Sequence, residues 1–182
     1  MIPYQEALEL ILSHASSLSI EQIPLAEASL RVLAEDVYYD QSLPPFHKSS
    51  MDGFACRRED LANELSIVET IPAGYAPQKH IGPGQCARIM TGAVIPEGAD
   101  CVIIKEESQL LPGDKVRCTS AFTDTNICKK GEDALKGDLA LASRTLLSAK
   151  LIPILAGAGI SQVPVYKQPT ITVFSTGTEL VE

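Results

Sequence analysis

The chain contains no tryptophan, and aromatic residues make up only 5% of it, so a hydrophobic core has to be built from aliphatic side chains. Aromatic platforms on which single-stranded nucleic acid stacks are equally scarce. Basic residues are in deficit, 15 Lys and Arg against 23 Asp and Glu, and the formal net charge is −8. Such a surface repels phosphate backbones, which argues against nucleic-acid partners. No uninterrupted apolar run approaches the ~18 residues of a membrane helix, so no membrane partner is expected. The opening MIPYQEALEL carries acids where a signal peptide has a basic head, and a cytoplasmic protein is expected. Cys56, Cys86, Cys101, Cys118 and Cys128 are odd in number and form no C-x-x-C pair. Zinc sites built from paired thiolates are thereby disfavoured, and reduced, mostly buried thiols are expected. His14, His47 and His80 are scattered, so no histidine-based metal site is expected and the metal ligands stay unknown.

What is present suits a chain of many turns. A length of 182 residues fits one domain or two small ones, and 45% hydrophobic residues suffice for a core. Twelve glycines and twelve prolines favour short strands over a helical bundle, and an α+β class follows. Pro3, Tyr4, Ala7, Leu8, Ile11, Leu12 and Ala15 have helical spacing and predict an amphipathic helix of about three turns. A short helix is expected around 26–32, leading into an extended stretch at 33–39. Pro44–Pro45 marks an extended passage and a domain crossing. Between Ser66 and Glu107, short β-type runs alternate with turns, which predicts a small barrel-like or sandwich domain. The stretches 116–119 and 126–141 continue it. A helix is expected after Ser148, its N-cap, ending at Gly157 or Gly159. VPVYK and ITVF then read as two strands, the second buried and running into the turn STGTEL. That strand and turn stop without a sequel, so a fragment of a longer protein is expected.

Four segments carry candidate chemistry. In SSMDG, hydroxyls precede Asp52, and Gly53 permits positive φ or close approach, which makes a polar cluster able to hold a metal or hydroxylated ligand. Asp-Gly alone is more often a plain turn. In RIMTGA, a strand runs into Thr91-Gly92, exposing backbone N–H groups and one hydroxyl suited to an oxyanion, or else makes a hairpin corner. PEGAD reads as a tight turn. In KKGEDALKGD, Lys129, Lys130, Glu132, Asp133 and Asp138 could surround an anion with its metal, or form a solvated loop. Glu106 and Glu107 carry the same ambiguity. In STGTEL, Glu179 follows an apolar strand where open α/β sheets collect ligands.

The four segments occur in one order along nearly the whole chain, and together they resemble the N-terminal and linker region of MoeA/gephyrin-type molybdopterin molybdenumtransferases. The resemblance implies two small N-terminal domains and the opening strand of a catalytic α/β domain. A discontinuous α+β domain would span 1–40 and 141–168, a β-rich barrel-like insert 41–140, and the start of a molybdopterin-binding domain 169–182. It implies insertion of molybdate into adenylylated molybdopterin with release of AMP, a divalent cation (usually Mg²⁺), a homodimer and contact with other proteins of molybdenum-cofactor biosynthesis. Carried over by motif, Asp52, Thr91, Asp133 and Glu179 would be catalytic. Ser50, Gly92, Glu106 and Lys129 would bind substrate. Thr178 replaces an Asp common in the family, and Cys128 stands where many members have a basic residue. The isolated 182-residue piece is expected to be inactive. The competing expectation is a non-catalytic dimerisation or interaction module of a gephyrin-like scaffold.

Overall fold

A computed structural model of the chain describes residues 2–120 and 122–174. In order, they form helix α1 (Tyr4–Ser13) and strands β1 (Ile20–Pro24), β2 (Val37–Tyr38), β3 (Lys48–Ser49), β4 (Gly53–Cys56), β5 (Glu64–Ile71), β6 (Gln85–Ile89) and β7 (Cys101–Ile104). Strands β8 (Ser108–Leu111), β9 (Lys115–Cys118), β10 (Ile127–Cys128) and β11 (Leu139–Leu141) follow, then helix α2 (Ile152–Gly157) and β12 (Gln162–Tyr166). The architecture is mixed α+β and divides into two compact units, Met1–Tyr39 with Leu139–Glu182, and Asp40–Asp138. Among the described residues no helix is long and apolar enough to cross a membrane.

The discontinuous unit has an aliphatic core of Ile23, Leu33, Val37, Leu147, Leu155, Val163 and Val165. Strands β1 and β12 pair antiparallel, Ile20 opposite Tyr166 and Pro24 opposite Gln162. Strands β2 and β11 also pair antiparallel, with Tyr38 opposite Leu139. The chain therefore leaves this unit and returns to it on neighbouring strands, the arrangement in which an insertion disturbs a fold least. Helix α1 lies where the apolar spacing places it. It buries no side chain, and Tyr4, Ile11 and Leu12 are exposed.

Three expectations fail in this unit. Only Leu25–Glu27 is helical (one 3₁₀ turn) where a helix over 26–32 is expected. The backbone there bonds across instead, Leu30 N–H to the Leu147 carbonyl and Leu33 N–H to the Thr145 carbonyl, and Leu30 adopts φ +64°. The N-cap of α2 is Leu151, three residues later, because the chain first makes a turn closed by Leu151 N–H on the Ser148 carbonyl (2.9 Å). Residues 171–174 form no strand: Ile171, Val173 and Phe174 are exposed, and no described strand pairs with them. Ser175–Glu179 lies outside the described residues.

The inserted unit is built on one six-stranded sheet of order β7-β4-β6-β5-β9-β8, antiparallel except between β5 and β6. Alternation buries both faces. Phe54, Cys56, Cys86, Cys101 and Ile103 pack on one side, and Ala55, Ala87, Ile89 and Val102 on the other. Cys56, Cys86 and Cys101 face one another across three strands, all fully buried and free, with the Cys56 and Cys101 sulfurs 3.7 Å apart. Burial pushes the Cys86 thiol up to about 12, so it stays protonated. Strands β7 and β8 are the sheet's two outer strands, yet only Lys105–Glu107 separates them in sequence. Four residue steps span at most about 14 Å, whereas a flat six-stranded sheet would hold its edges about 24 Å apart. The sheet is therefore curled.

Asp52–Gly53 is not a turn. Gly53 opens β4 without positive φ, and it meets the close-approach half of its expectation, since a Cβ there would overlap the carbonyl oxygen of Ile103 on β7. Gly53→Ala is expected to cost at least about 2 kcal/mol, lowering the thermal midpoint by roughly 4–8 °C in a circular-dichroism melt. An unchanged midpoint would show that the contact can relax.

Candidate functional site

The site forms where two segments distant in sequence zip together. Ser49 N–H donates to the Ala93 carbonyl (2.9 Å), and Gly92 N–H donates back to the Ser49 carbonyl (2.8 Å). The Ser49 hydroxyl, 1% exposed, donates to the Met51 carbonyl at 2.6 Å and closes a local turn. Gly92 adopts φ +82°, and nothing lies within 4 Å of where its Cβ would be, so this glycine is set by the backbone of the turn.

Across the zipper Thr91 reaches Asp52. Its backbone N–H (2.7 Å) and its hydroxyl (2.8 Å) both donate to Asp52 Oδ1. These two bonds stabilise the ionised carboxylate and hold it below its ordinary range, and the nearby Lys105 charge adds to the effect. Lys105 is fixed beside it by the backbone. Its N–H donates to the Asp52 carbonyl (2.9 Å), and the Ser108 hydroxyl donates to the Lys105 carbonyl (2.7 Å). Asp52, Phe54, Arg88, Met90, Lys105 and Leu110 line a cleft of about 240 Å³ at this point. Its floor is apolar and its charged lining is two cations and one acid.

The other candidates fall elsewhere. Ser50 is half-buried, and its N–H donates to the Asn126 carbonyl (3.0 Å). Glu106 is exposed beside Lys105 and does not line the cleft. Lys129 lines a second cleft, of about 330 Å³, with His47, Glu97 and Asp100. Asp133 is exposed, lines neither cleft, and its N–H donates to the Leu43 carbonyl (2.9 Å). The acids around it close their own loop: Glu132 accepts Lys129 N–H (2.6 Å), and Asp138 accepts Leu135 N–H (2.8 Å). That loop is strapped to the preceding proline segment, whose Leu43–Pro44 peptide is cis, by Gly131 N–H to the Pro44 carbonyl (2.9 Å) and Lys130 N–H to His47 Nδ1 (3.1 Å). Glu179 lies outside the described residues. The structure thus joins Asp52 to Thr91 and does not bring Asp133 or Lys129 into the cleft that Asp52 lines.

Arg88 and Lys105 are the residues that motif reading missed. The signal for Arg88 was strand alternation, because it is the single exposed position of β6 and faces away from Ala87 and Ile89. Among the described residues no three His, Cys, Asp or Glu side chains gather as a metal site. Asp52 is the one carboxylate lining this cleft, and it shares the space with two cations. That donor set does not fit a resident Mg²⁺, which prefers carboxylates together with water or phosphate oxygens.

Comparison with known proteins decides the family. The profile described as "MoeA N-terminal region (domain I and II)" matches residues 2–159. The chain belongs to this MoeA N-terminal family. Among MoeA relatives, a molybdopterin molybdenumtransferase of Bacillus subtilis (strain 168) is 36% identical, the match covering 99% of this chain and 44% of the relative. One from Haemophilus influenzae is 38% identical over 95% of this chain and 46% of its own length. The chain therefore spans less than half the length of these relatives. The crystal structure of a molybdopterin biosynthesis moeA protein from Pyrococcus horikoshii OT3 superposes with a TM-score of 0.82 at 35% identity, over 93% of this chain and 47% of that one.

The Asp52–Thr91 bonds make a pH-dependent prediction. A depressed carboxyl contributes stability above its unfolded value, near 4, and loses it as pH falls through the lower folded value. Thr91→Val removes the hydroxyl donor and keeps the N–H. Carboxyl-carbon NMR titration should show Asp52 protonating at higher pH in the variant, still below an unfolded peptide. Identical titration in both proteins would mean the hydroxyl bond is not populated in solution.

Proposed function

We propose that this MoeA-family chain forms the N-terminal part of a molybdopterin molybdenumtransferase, which inserts molybdate into adenylylated molybdopterin and releases AMP. The observation that carries the reading is the joining of SSMDG to RIMTGA through two hydrogen bonds from Thr91 to one oxygen of Asp52. On this reading the Asp52 cleft receives part of the substrate. Asp52, ionised at neutral pH, is a weak proton acceptor, since Brønsted behaviour favours a base titrating near the working pH. Its role is then to orient a hydroxyl or water by accepting its hydrogen, with Thr91 fixing the carboxylate and Gly92 leaving room beside it. Asp133, Ser50, Glu106 and Lys129 act outside that contact, at other parts of the substrate, and Glu179 is a further catalytic candidate. A divalent cation would take its ligands from substrate phosphates or from residues outside this cleft.

The reading extends to organisation. Residues 169–182 open the molybdopterin-binding domain, the working form is a homodimer in the cytoplasm, and other molybdenum-cofactor biosynthesis proteins deliver or receive the pterin. The exposed Tyr4, Ile11 and Leu12 of α1 favour a second role for this chain in association, as in a dimerisation module.

The test is a chimera in which this chain replaces the matching part of the Bacillus subtilis relative, expressed in cells lacking their own molybdenum-insertion enzyme. Molybdoenzyme activity should return with the chimera, fail with its Asp52→Ala form at equal protein level, and fail with the 182-residue chain alone. A soluble chimera that never restores activity, beside a native relative that does, would overturn the transferase reading.

A further inference from the structure

We infer that Arg88 and Lys105 form an anion-holding pair in the Asp52 cleft, taking a tetrahedral oxyanion such as a phosphate group. The inference rests on the reading of that cleft as a substrate site and names the part of the substrate it meets. The whole chain carries a net charge of −8, yet the charged lining of this cleft is Arg88, Lys105 and Asp52, a local excess of positive charge. Among the described residues, the side chains of Arg88 and Lys105 have no ion-pair partner within 4.0 Å and donate no hydrogen bond. The remaining arginines of the insert show the contrast: Arg57 pairs with Glu59 and Asp60, Arg58 donates to the Thr123 carbonyl, and Arg117 pairs with Glu64.

Both cations are held in place by ordered backbone. Arg88 is opposite Phe54 on β4 and Thr70 on β5, in the interior of the sheet, so its stem rises from a fixed base beside a ring that is 3% exposed. Lys105 is set by its N–H bond to the Asp52 carbonyl and by the Ser108 hydroxyl on its own carbonyl. A planar guanidinium and an ammonium over an apolar floor suit a phosphate or similar oxyanion. The first supplies two parallel donors, and both side chains are exposed and free to turn toward an anion. Asp52 is already occupied by Thr91 on one oxygen and lies on the same rim. It repels the anion and sets the face from which a hydroxyl of the same ligand is accepted.

One chemistry has two sources here, the phosphate of a nucleotide arm or the free molybdate cargo, and a titration separates them. The full 182-residue chain is titrated with AMP, with inorganic phosphate and with molybdate at low salt, while amide shifts of Gly53, Phe54, Ile89 and Met90 are followed by NMR. At least one of the three should saturate with shifts confined to this cleft, and affinity should fall as salt rises. Binding of AMP alone assigns the nucleotide arm, and binding of molybdate alone assigns the cargo. Arg88→Gln and Lys105→Gln should each weaken the binding at least about tenfold, as loss of a hydrogen-bonded charge does. Asp52→Asn removes the repelling charge and should raise anion affinity. Because Asp52→Ala is expected to abolish rescue in cells, the anion pair and the transferase reading can fail separately. Saturation by none of the three anions, or binding that survives both cation substitutions in folded protein, overturns the inference.

Discussion

Three residues, Lys105–Glu107, must carry the chain from one outer strand of the six-stranded sheet to the other. The reach of a polypeptide makes that impossible for a flat sheet, so β7 and β8 are drawn toward each other and the sheet curls. No described ladder joins these two strands across the seam between them; the link connects them, and the outer edge of β7 is met by the 125–126 segment, where the Thr125 carbonyl accepts Val102 N–H. The cleft opens at this seam. Its walls come from β4 and β6 on one side and from the link and β8 on the other, which is why residues as far apart as Asp52, Arg88 and Leu110 share one space. Lys105 owes its place to the same constraint, because the link that bends the sheet also bonds its first N–H to the Asp52 carbonyl.

Electrostatics then separates the cleft from the rest of the surface. An acidic chain discourages anions in general, and only local geometry can reverse this at short range. Two cations without an ion-pair partner among the described residues, in a seam with Phe54, Met90 and Leu110, do so, while Thr91 keeps Asp52 charged with hydrogen bonds that do not depend on either cation. A carboxylate kept ionised by neutral donors can sit beside an anion site without being neutralised into it. The arrangement favours a ligand that presents an oxyanion to the two cations and a hydroxyl to Asp52 beside them.

Much of this was legible in the sequence, and the failures share a cause. The helix at the N-terminus and the strands β5, β6 and β7 follow from periodicity and turn residues, whereas the bonds between Asp52 and Thr91 were announced by neither motif. The segment at 26–32 has a helix-like composition and no local reason to refuse one. Its amides are taken by the segment around 145–147, a partner that no window along the chain reveals. The Ser148 cap fails because the chain makes one more turn, from Ser148 to Leu151, before the helix begins. Lys105 was hidden because its importance comes from the curl of the sheet, and a neighbouring acid, Glu106, looked equally eligible by composition.

The acids of the insert show what distinguishes a site residue from a loop residue when both look alike in sequence. Glu132 and Asp138 each accept an N–H three residues away, so their carboxylates do the work of local turns and would do it in a solvated surface loop. Asp52 accepts from Thr91, 39 residues away, through one oxygen only. Bonds of that range cannot fold a local turn. They become possible only after the 49–53 and 90–93 segments have met, so they add little to forming either segment and fix the direction in which the carboxylate faces. An acid oriented by distant donors, with acceptor capacity left over and unpaired cations beside it, is placed to meet something that is not part of the chain. By this criterion Asp52 is the better candidate for a site, whereas Glu132 and Asp138, from the equally acidic KKGEDALKGD loop, serve the fold.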